Sequence, residues 1–317
     1  KNLFATPADT IFTLLALYVL YSIVPGFIQW AFVDAVYVAV PNKFHAPLTI
    51  QALKAGKHVI LDKPFALNVA EAEEVIATAK QAGKLFMVGM NQRFRPESQT
   101  IRKLVKENVL GDIYHAKAYW FRRAGIPRLG TWFGNKEMAG GGCMLDIGVH
   151  MLDLCLHCMG NFEPVSVSGA TYTKFGNRGL GEGGWGRSDR ENIEFNVDDF
   201  ASALIKFKNG ATVSLDISWA AHMDEGSRND VRLFGTEAGA SLYPARLFRQ
   251  DPIRKDYSVI EDLKVAETWP ENCRFANFSK AILGDEELGV TPEEALTVQK
   301  ILDGIYESAL TGKEVSI

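Results

Sequence analysis

The chain opens on an uninterrupted apolar run and then changes period. From Thr10 to Val33 no residue carries a charge, and a run of that length suits either a membrane-spanning helix or a helix buried in a core. Pro25-Gly26 would break a spanning helix, and Lys1 is the only cation near either flank, where an orientation signal belongs. No basic leader or small-residue cleavage site marks a signal peptide. Pro7 to Tyr21 therefore reads as a buried helix capped by Thr6, in preference to a membrane span. VDAVYVAV, residues 33 to 40, follows without a linker; it is apolar and β-branched, as a strand buried on both faces must be.

From there strands and helices alternate: an amphipathic HAPLTIQALKAGK, a strand HVILD, a helix NVAEAEEVIATAKQAG and a strand KLFMVGM. Gly56 and Gly83 close the two helices, and Asn68 is a natural N-cap with Glu71 three residues on. This βαβαβ order predicts an α/β, Rossmann-like, doubly wound parallel sheet, which binds ligands at the carboxyl ends of its strands. Later, SALIKFKNG and ATVSLDISWA alternate in a period of two around Asn209-Gly210 and predict an antiparallel hairpin in an α+β region. The glycine-rich stretch from Gly176 to Gly186 reads as a long loop, either facing a substrate or simply inserted at the surface.

The carboxyl ends of the three strands carry polar groups: Pro41-Asn42-Lys43-Phe44-His45, Asp62-Lys63-Pro64 and Asn91-Gln92-Arg93. Proline disfavours helix at Lys63 and holds the lysine extended at the strand tip, where an ammonium can stabilise a developing alkoxide. A second constellation is Gly140-Gly141-Gly142 leading into a helix expected from about Met144 to Met159. Asp146 and His150, four apart on one helix face, predict a carboxylate that orients an imidazole general base. Gly148 inside that helix costs about 1 kcal/mol relative to alanine, so a close approach is expected there, with a nicotinamide ring as the candidate. Taken singly, the lysine also reads as an ordinary surface residue and the Asp/His pair as a helix-surface hydrogen bond; together they read as a site.

Composition narrows the class. Over 317 residues, 47% hydrophobic and 23% charged content supports one large or two ordinary domains with real cores and excludes a disordered or fibrous chain. A formal charge of -4 leaves no broad basic field for nucleic acid. Four cysteines in so long a chain form no disulfide framework, and Cys143, Cys155, Cys158 and Cys273 read as reduced thiols of a cytoplasmic protein. Cys155 and Cys158 have the spacing of a zinc knuckle but no second pair, so no metal is expected.

VYVAVPNKFHAPLTIQALKAGKHVILDKP, MVGMNQRF and AGGGCMLDIGVHMLDL, in that order and spacing, resemble the glucose-fructose oxidoreductase / inositol dehydrogenase (Gfo/Idh/MocA) family from Val33 to Ile317. The resemblance implies a dinucleotide-binding domain over residues 1–95. Residues 96–317 would form an α+β domain with a large, mostly antiparallel sheet for substrate binding and assembly as a homo-oligomer, dimer or tetramer, with the C-terminal helix packing back on the first domain. It implies NAD or NADP as cofactor and a sugar or polyol as substrate. Lys63, Asp146 and His150 become the catalytic group. Pro41, Asn42, His45, Asp62, Lys63 and Asn91 line the cofactor with Arg93 close by, and Arg122, Arg123 and Trp132 face the substrate.

One departure is large. The family opens on a strand, a GxGxxG turn and a helix, whereas the first 32 residues here hold one glycine, Gly26, and span only about half the usual lead-in. A natural truncation, an upstream sequence alteration such as a shifted reading frame, and a membrane anchor compete as explanations; the abrupt start of the resemblance favours the alteration. Besides the dehydrogenase, two functions stay open: a non-catalytic carbohydrate-binding or scaffold protein, and an enzyme using held NAD for redox-assisted glycoside cleavage.

Overall fold

The computed structural model describes residues 34–184, 188–189, 191, 193–255, 259–265 and 273–317. The helix expected over Pro7 to Tyr21 lies outside the described residues, as does the end of the glycine-rich loop.

Three short strands, β1 (Ala35–Val38), β2 (His58–Leu61) and β3 (Phe86–Val88), form a parallel sheet in that order, with Val36 opposite Val59 and Ile60 opposite Met87. Helices α1 (His45–Lys54) and α2 (Val69–Ala82) make the crossovers. Local chemistry sets the bounds of α2: the Asn68 side chain accepts from Glu71 N at 3.0 Å, and Gly83 ends the helix at φ +62°. Helix α3 (Pro96–Lys106) leads into β4 (Ile113–Arg122).

Next come α4 (Lys136–Ala139), the glycine run, a π-helical turn at Met144–Gly148 and α5 (Val149–Met159). Strands β5 (Pro164–Tyr172), β6 (Phe200–Phe207), β7 (Thr212–Ser218), β8 (Ser227–Gly235), β9 (Gly239–Leu242), β10 (Ala245–Arg249) and β11 (Val259–Asp262) then join β4. Helices α6 (Arg274–Leu283) and α7 (Pro292–Thr311) and strand β12 (Val315–Ser316) complete the chain. The second sheet has the order β11-β10-β9-β8-β4-β7-β6-β5-β12, and its one parallel pair is β4 with β7. Asn209-Gly210 is the predicted hairpin turn, with Gly210 at φ +86° and Ala203 opposite Leu215.

The single helix predicted over Met144 to Met159 starts instead with a π-helical turn, a widening often found at functional sites. The expectation that Gly148 makes room for a nicotinamide ring is corrected: a Cβ there would stand 2.7 Å from Met144 Sδ and 3.2 Å from Ile217 Cγ1. The Met144 side chain of the same turn and Ile217 of β7 occupy the space beside it.

Helix α5 is buried along nearly its whole length against β4, and α7 packs on α2, β3 and β5. Two bonds fix α7 to the parallel-sheet half: Val69 N donates to Asp303 Oδ2 at 2.7 Å, and Ala66 N to Gln299 Oε1 at 3.3 Å. Lys136–Met159 is long and apolar enough by composition to cross a membrane, and an 18-residue apolar window within it is 83% buried inside the protein.

Candidate active site

The two halves meet where the carboxyl ends of β1 and β2 face the glycine run. Asn42 Nδ2 donates to Ala139 O at 2.8 Å and Lys43 pairs with Glu137, so the turn after β1 is fastened to α4. A cavity of about 100 Å³ lies between them, lined among others by Asn42, Asp62, Lys63, Trp132 and Asp146.

Lys63 stands at the tip of β2 and crosses to the π-helical turn. Its Nζ donates to Asp146 Oδ1 at 2.7 Å and to the Asp146 carbonyl at 2.8 Å. The other carboxylate oxygen accepts from Trp219 Nε1 at 2.9 Å. Burial alone would push the Asp146 carboxyl up, but the Lys63 charge and these donors hold it below its usual value. The reading in which Asp146 orients the His150 imidazole is therefore corrected. No hydrogen bond joins the two among the described residues: the carboxylate oxygens accept from Lys63 and Trp219, and Asp146 acts on His150 through its charge.

His150 lies one helical turn on. Its Nδ1 is buried without a hydrogen-bond partner among the described residues. Burial, reinforced by the Lys63 charge, lowers its pKa to about 3 against the opposing pull of Asp146. The imidazole is thus neutral at ordinary pH, as a proton acceptor must be.

A layer that the sequence did not reveal positions this group. Asp198 Oδ1 accepts from Gly142 N at 2.7 Å and from the Tyr306 hydroxyl at 2.8 Å, while Oδ2 accepts from Met144 N at 2.9 Å. Its carboxylate thus serves as a remote N-cap for the π-helical turn. A Cβ on Gly142 would sit 1.8 Å from the Asp198 carbonyl, which is why glycine is required there. The neighbouring Asp199 carbonyl accepts from Trp219 N at 2.9 Å. Trp219 and the Asp198-Asp199 pair lie far along the chain, and only their position beside hairpin strands hints at them.

Other predicted site residues divide. Trp132, stacked on Phe133 at 3.9 Å, lines the same cavity as Lys63. His45 borders it, with its ring nitrogens 2.7 and 2.9 Å from the Pro64 and Val40 carbonyls; burial lowers its pKa, and the neutral ring donates its one N–H to one of them, bracing the loop. Asp62 Oδ1 accepts from Lys63 N at 3.0 Å and from Arg274 Nη1 at 3.1 Å. Arg274, a residue not singled out beforehand, also donates to Gly89 O at 2.9 Å and to the Tyr37 hydroxyl at 3.0 Å, closing over the ends of all three parallel strands.

Pro41 and Asn91 flank this edge outside the cavity lining. Arg93 departs from its expected place near the cofactor: it is 1% exposed and turned inward, with Nε and Nη2 on Asp153 and Nη1 on Glu294 at 2.5 Å. Burial works against its charge, yet Asp153 and Glu294 hold its pKa above the ordinary value. Arg123 is exposed, with a 3.4 Å contact to Asp224 O. The loop residues Gly181 and Gly183 are pinned to Gly125 and Ile126 by backbone bonds of 2.8 to 3.0 Å.

All four cysteines are free thiols; Cys155 and Cys158 are buried, and burial raises Cys158 to about 12. Among the described residues no group of three or more His, Cys, Asp or Glu is arranged to hold a metal.

His157, on the same helix, gives a pH prediction. Its Nε2 is buried without a partner, and burial lowers its pKa to about 3. The unfolded chain, titrating near 6.5, binds more protons between those values, so stability falls as pH drops from about 6.5 toward 3. His157→Leu should therefore raise the melting temperature more at pH 5 than at pH 7.5; an equal rise at both would show that its protonation does not matter.

A prediction for Trp219 concerns activity. Trp219→Phe removes one donor from Asp146, so the carboxyl should titrate at higher pH and the acid limb of kcat/KM should move up by about one unit. An unmoved limb would mean that Lys63 alone keeps Asp146 ionised.

Comparison with known proteins shows the family. Residues 28–90 match the "Oxidoreductase family, NAD-binding Rossmann fold" profile, and residues 98–241 match the GFO/IDH/MocA C-terminal domain. The D-glucoside 3-dehydrogenase of Escherichia coli (strain K12) is 32% identical over 286 residues, covering 90% of this chain and 79% of that protein. The crystal structure of aldose-aldose oxidoreductase from Caulobacter crescentus, complexed with glycerol, superposes with a TM-score of 0.73 at 27% identity, covering 94% of this chain and 83% of that one. Levoglucosan dehydrogenase in complex with NADH and levoglucosan shares the fold, with a TM-score of 0.76 at 23% identity over 90% of this chain and 80% of that one. The chain belongs to the GFO/IDH/MocA family and is an NAD(P)-dependent oxidoreductase with an NAD-binding Rossmann domain.

Proposed function

We propose that this chain moves a hydride between nicotinamide and a secondary hydroxyl carbon of a sugar or polyol, with Lys63, Asp146 and His150 as the reacting group. The observation that carries the reading is the Lys63 ammonium held 2.7 Å from Asp146 at the tip of a parallel strand, on the same helical run as an imidazole whose Nδ1 lacks a partner. The sugar dehydrogenases among the relatives support the substrate class.

The nicotinamide end of a dinucleotide fits these residues, since Asn42, Asp62, Lys63 and Asp146 line a cavity at the carboxyl edge of the sheet and a buried His150 nitrogen is left without a partner on the helical run that carries Asp146. When bound, the nicotinamide supplies a hydride acceptor, or a donor in reduction. His150, neutral at working pH, takes the hydroxyl proton. Lys63 donates to the same oxygen and lowers the energy of the alkoxide, and Asp146 fixes the lysine by holding two of its three donors' directions through its carboxylate and carbonyl. Trp132 offers an indole face to the apolar side of a sugar ring. We assign dinucleotide binding to residues up to about 95 and substrate binding to the remainder.

The test is to mix pure protein with NAD or NADP and a panel of aldoses, glycosides and inositols and to follow nicotinamide absorbance. Failure to bind either cofactor at millimolar concentration overturns the reading. That outcome would favour a non-catalytic sugar-binding protein, a reading supported by the single glycine among the first 32 residues. Assembly as a homo-oligomer through the outer face of the large sheet is part of the proposal, supported by half-exposed Tyr172, Leu204 and Phe234; light scattering of the pure protein tests it. Reduced thiols throughout support a cytoplasmic location.

A further inference from the structure

Pairing the charges around the site leaves one cation over. Lys63 is matched by Asp146 at 2.7 Å and Arg274 by Asp62 at 3.1 Å. Arg122, at the end of β4, forms no ion pair among the described residues. Its single hydrogen bond, from Nη1 to Gly125 O, is 3.5 Å long, at the limit of such a contact. The guanidinium is half-buried and lies over the Trp120 ring, 4.5 Å from its centroid.

Alternation along β4 puts Ala116, Ala118, Trp120 and Arg122 on one face, and the fully buried alanines mark it as the face under α5. Arg122 therefore rises on the side that carries His150, near enough for its charge to act on both His150 and Asp146. Arg123 belongs to the opposite face.

Desolvating a cation without a counter-charge is costly. Stacking on an indole fixes the plane of the guanidinium while its N–H donors stay available, and a planar fork of donors matches a carboxylate or phosphate. We propose that Arg122 binds an anionic group of the substrate, so that the chain acts on acidic sugars, carrying a carboxylate or a phosphate, in preference to neutral ones. The proposal deepens the sugar reading above and rests on it.

The test compares wild type, Arg122→Gln and Arg122→Lys with methyl β-D-glucuronide, glucose 6-phosphate and methyl β-D-glucoside, using NAD reduction for turnover and calorimetry of the NAD-loaded protein for binding. Wild type should favour one acid over the glucoside by about tenfold or more in kcat/KM, and which acid is favoured tells carboxylate from phosphate. In Arg122→Gln that ratio should fall by roughly 30-fold, mainly through KM, with partial recovery in Arg122→Lys. Wild type that prefers the neutral glucoside overturns the proposal. So does a ratio unchanged in Arg122→Gln, which would leave Arg122 acting only on the charge of His150. If no sugar reduces NAD but an acid binds wild type and not Arg122→Gln, the anion site stands and the dehydrogenase reading fails. Absence of binding by either acid overturns the anion site whatever the turnover.

Discussion

Lys63→Met is expected to lower kcat by about 10³-fold, with a much smaller change in KM. The lysine is the one cation hydrogen-bonded to Asp146, and its place beside the cavity suits it to a charge that develops only as the hydroxyl proton leaves. An interaction realised in the transition state alone appears in kcat. Methionine keeps most of the side-chain volume, so the fold should survive, as circular dichroism would check. The same variant strips Asp146 of its strongest donor and its carboxyl should titrate higher, so a residual rate that rises with pH is expected. A loss confined to KM would mean that Lys63 merely binds substrate.

The second large effect is on stability. Arg93→Met leaves Asp153, fully buried on α5, without its bidentate partner. Breaking a buried ion pair from one side costs about 3–5 kcal/mol, which should lower the melting temperature by on the order of 10 °C. Arg93 also holds Gly289 O at 3.1 Å and Glu294, whose carboxylate completes the capping box at the start of α7. The turn after β3, the His150 helix and α7 are therefore joined at one guanidinium. Arg93→Met with Asp153→Leu should recover most of the loss, because no charge is then buried alone. If the double variant is no more stable than the single one, the Glu294 and Gly289 contacts carry the stability instead.

These two residues show what was legible beforehand. The strand-helix alternation, the Asn68 cap and the Asn209-Gly210 turn are written in local residue chemistry, and the structure forms them as read. Lys63 before proline and Asp146 and His150 at helical spacing were visible for the same reason. What was not visible is which polar partners meet across the fold. Arg93 reads as close to the cofactor through the family resemblance, whereas its partners come from α5 and α7, Glu294 of the latter lying 201 residues away in sequence. Asp146 looked free to orient His150 because sequence spacing cannot report that its carboxylate turns to Lys63 and Trp219 instead. Gly148 announced a close neighbour correctly in kind, but the neighbours are Met144 of its own turn and Ile217 of β7. Asp198 carried no motif at all, since a remote cap is defined only by tertiary placement.

The most direct measurement of the central claim is the fate of a substrate hydrogen. Pure protein mixed with NAD and perdeuterated glucoside or glucuronide should yield nicotinamide carrying deuterium at C4, and Lys63→Met and His150→Gln should suppress its appearance. Absence of deuterium on nicotinamide, with both cofactor and sugar shown to bind, would contradict the account.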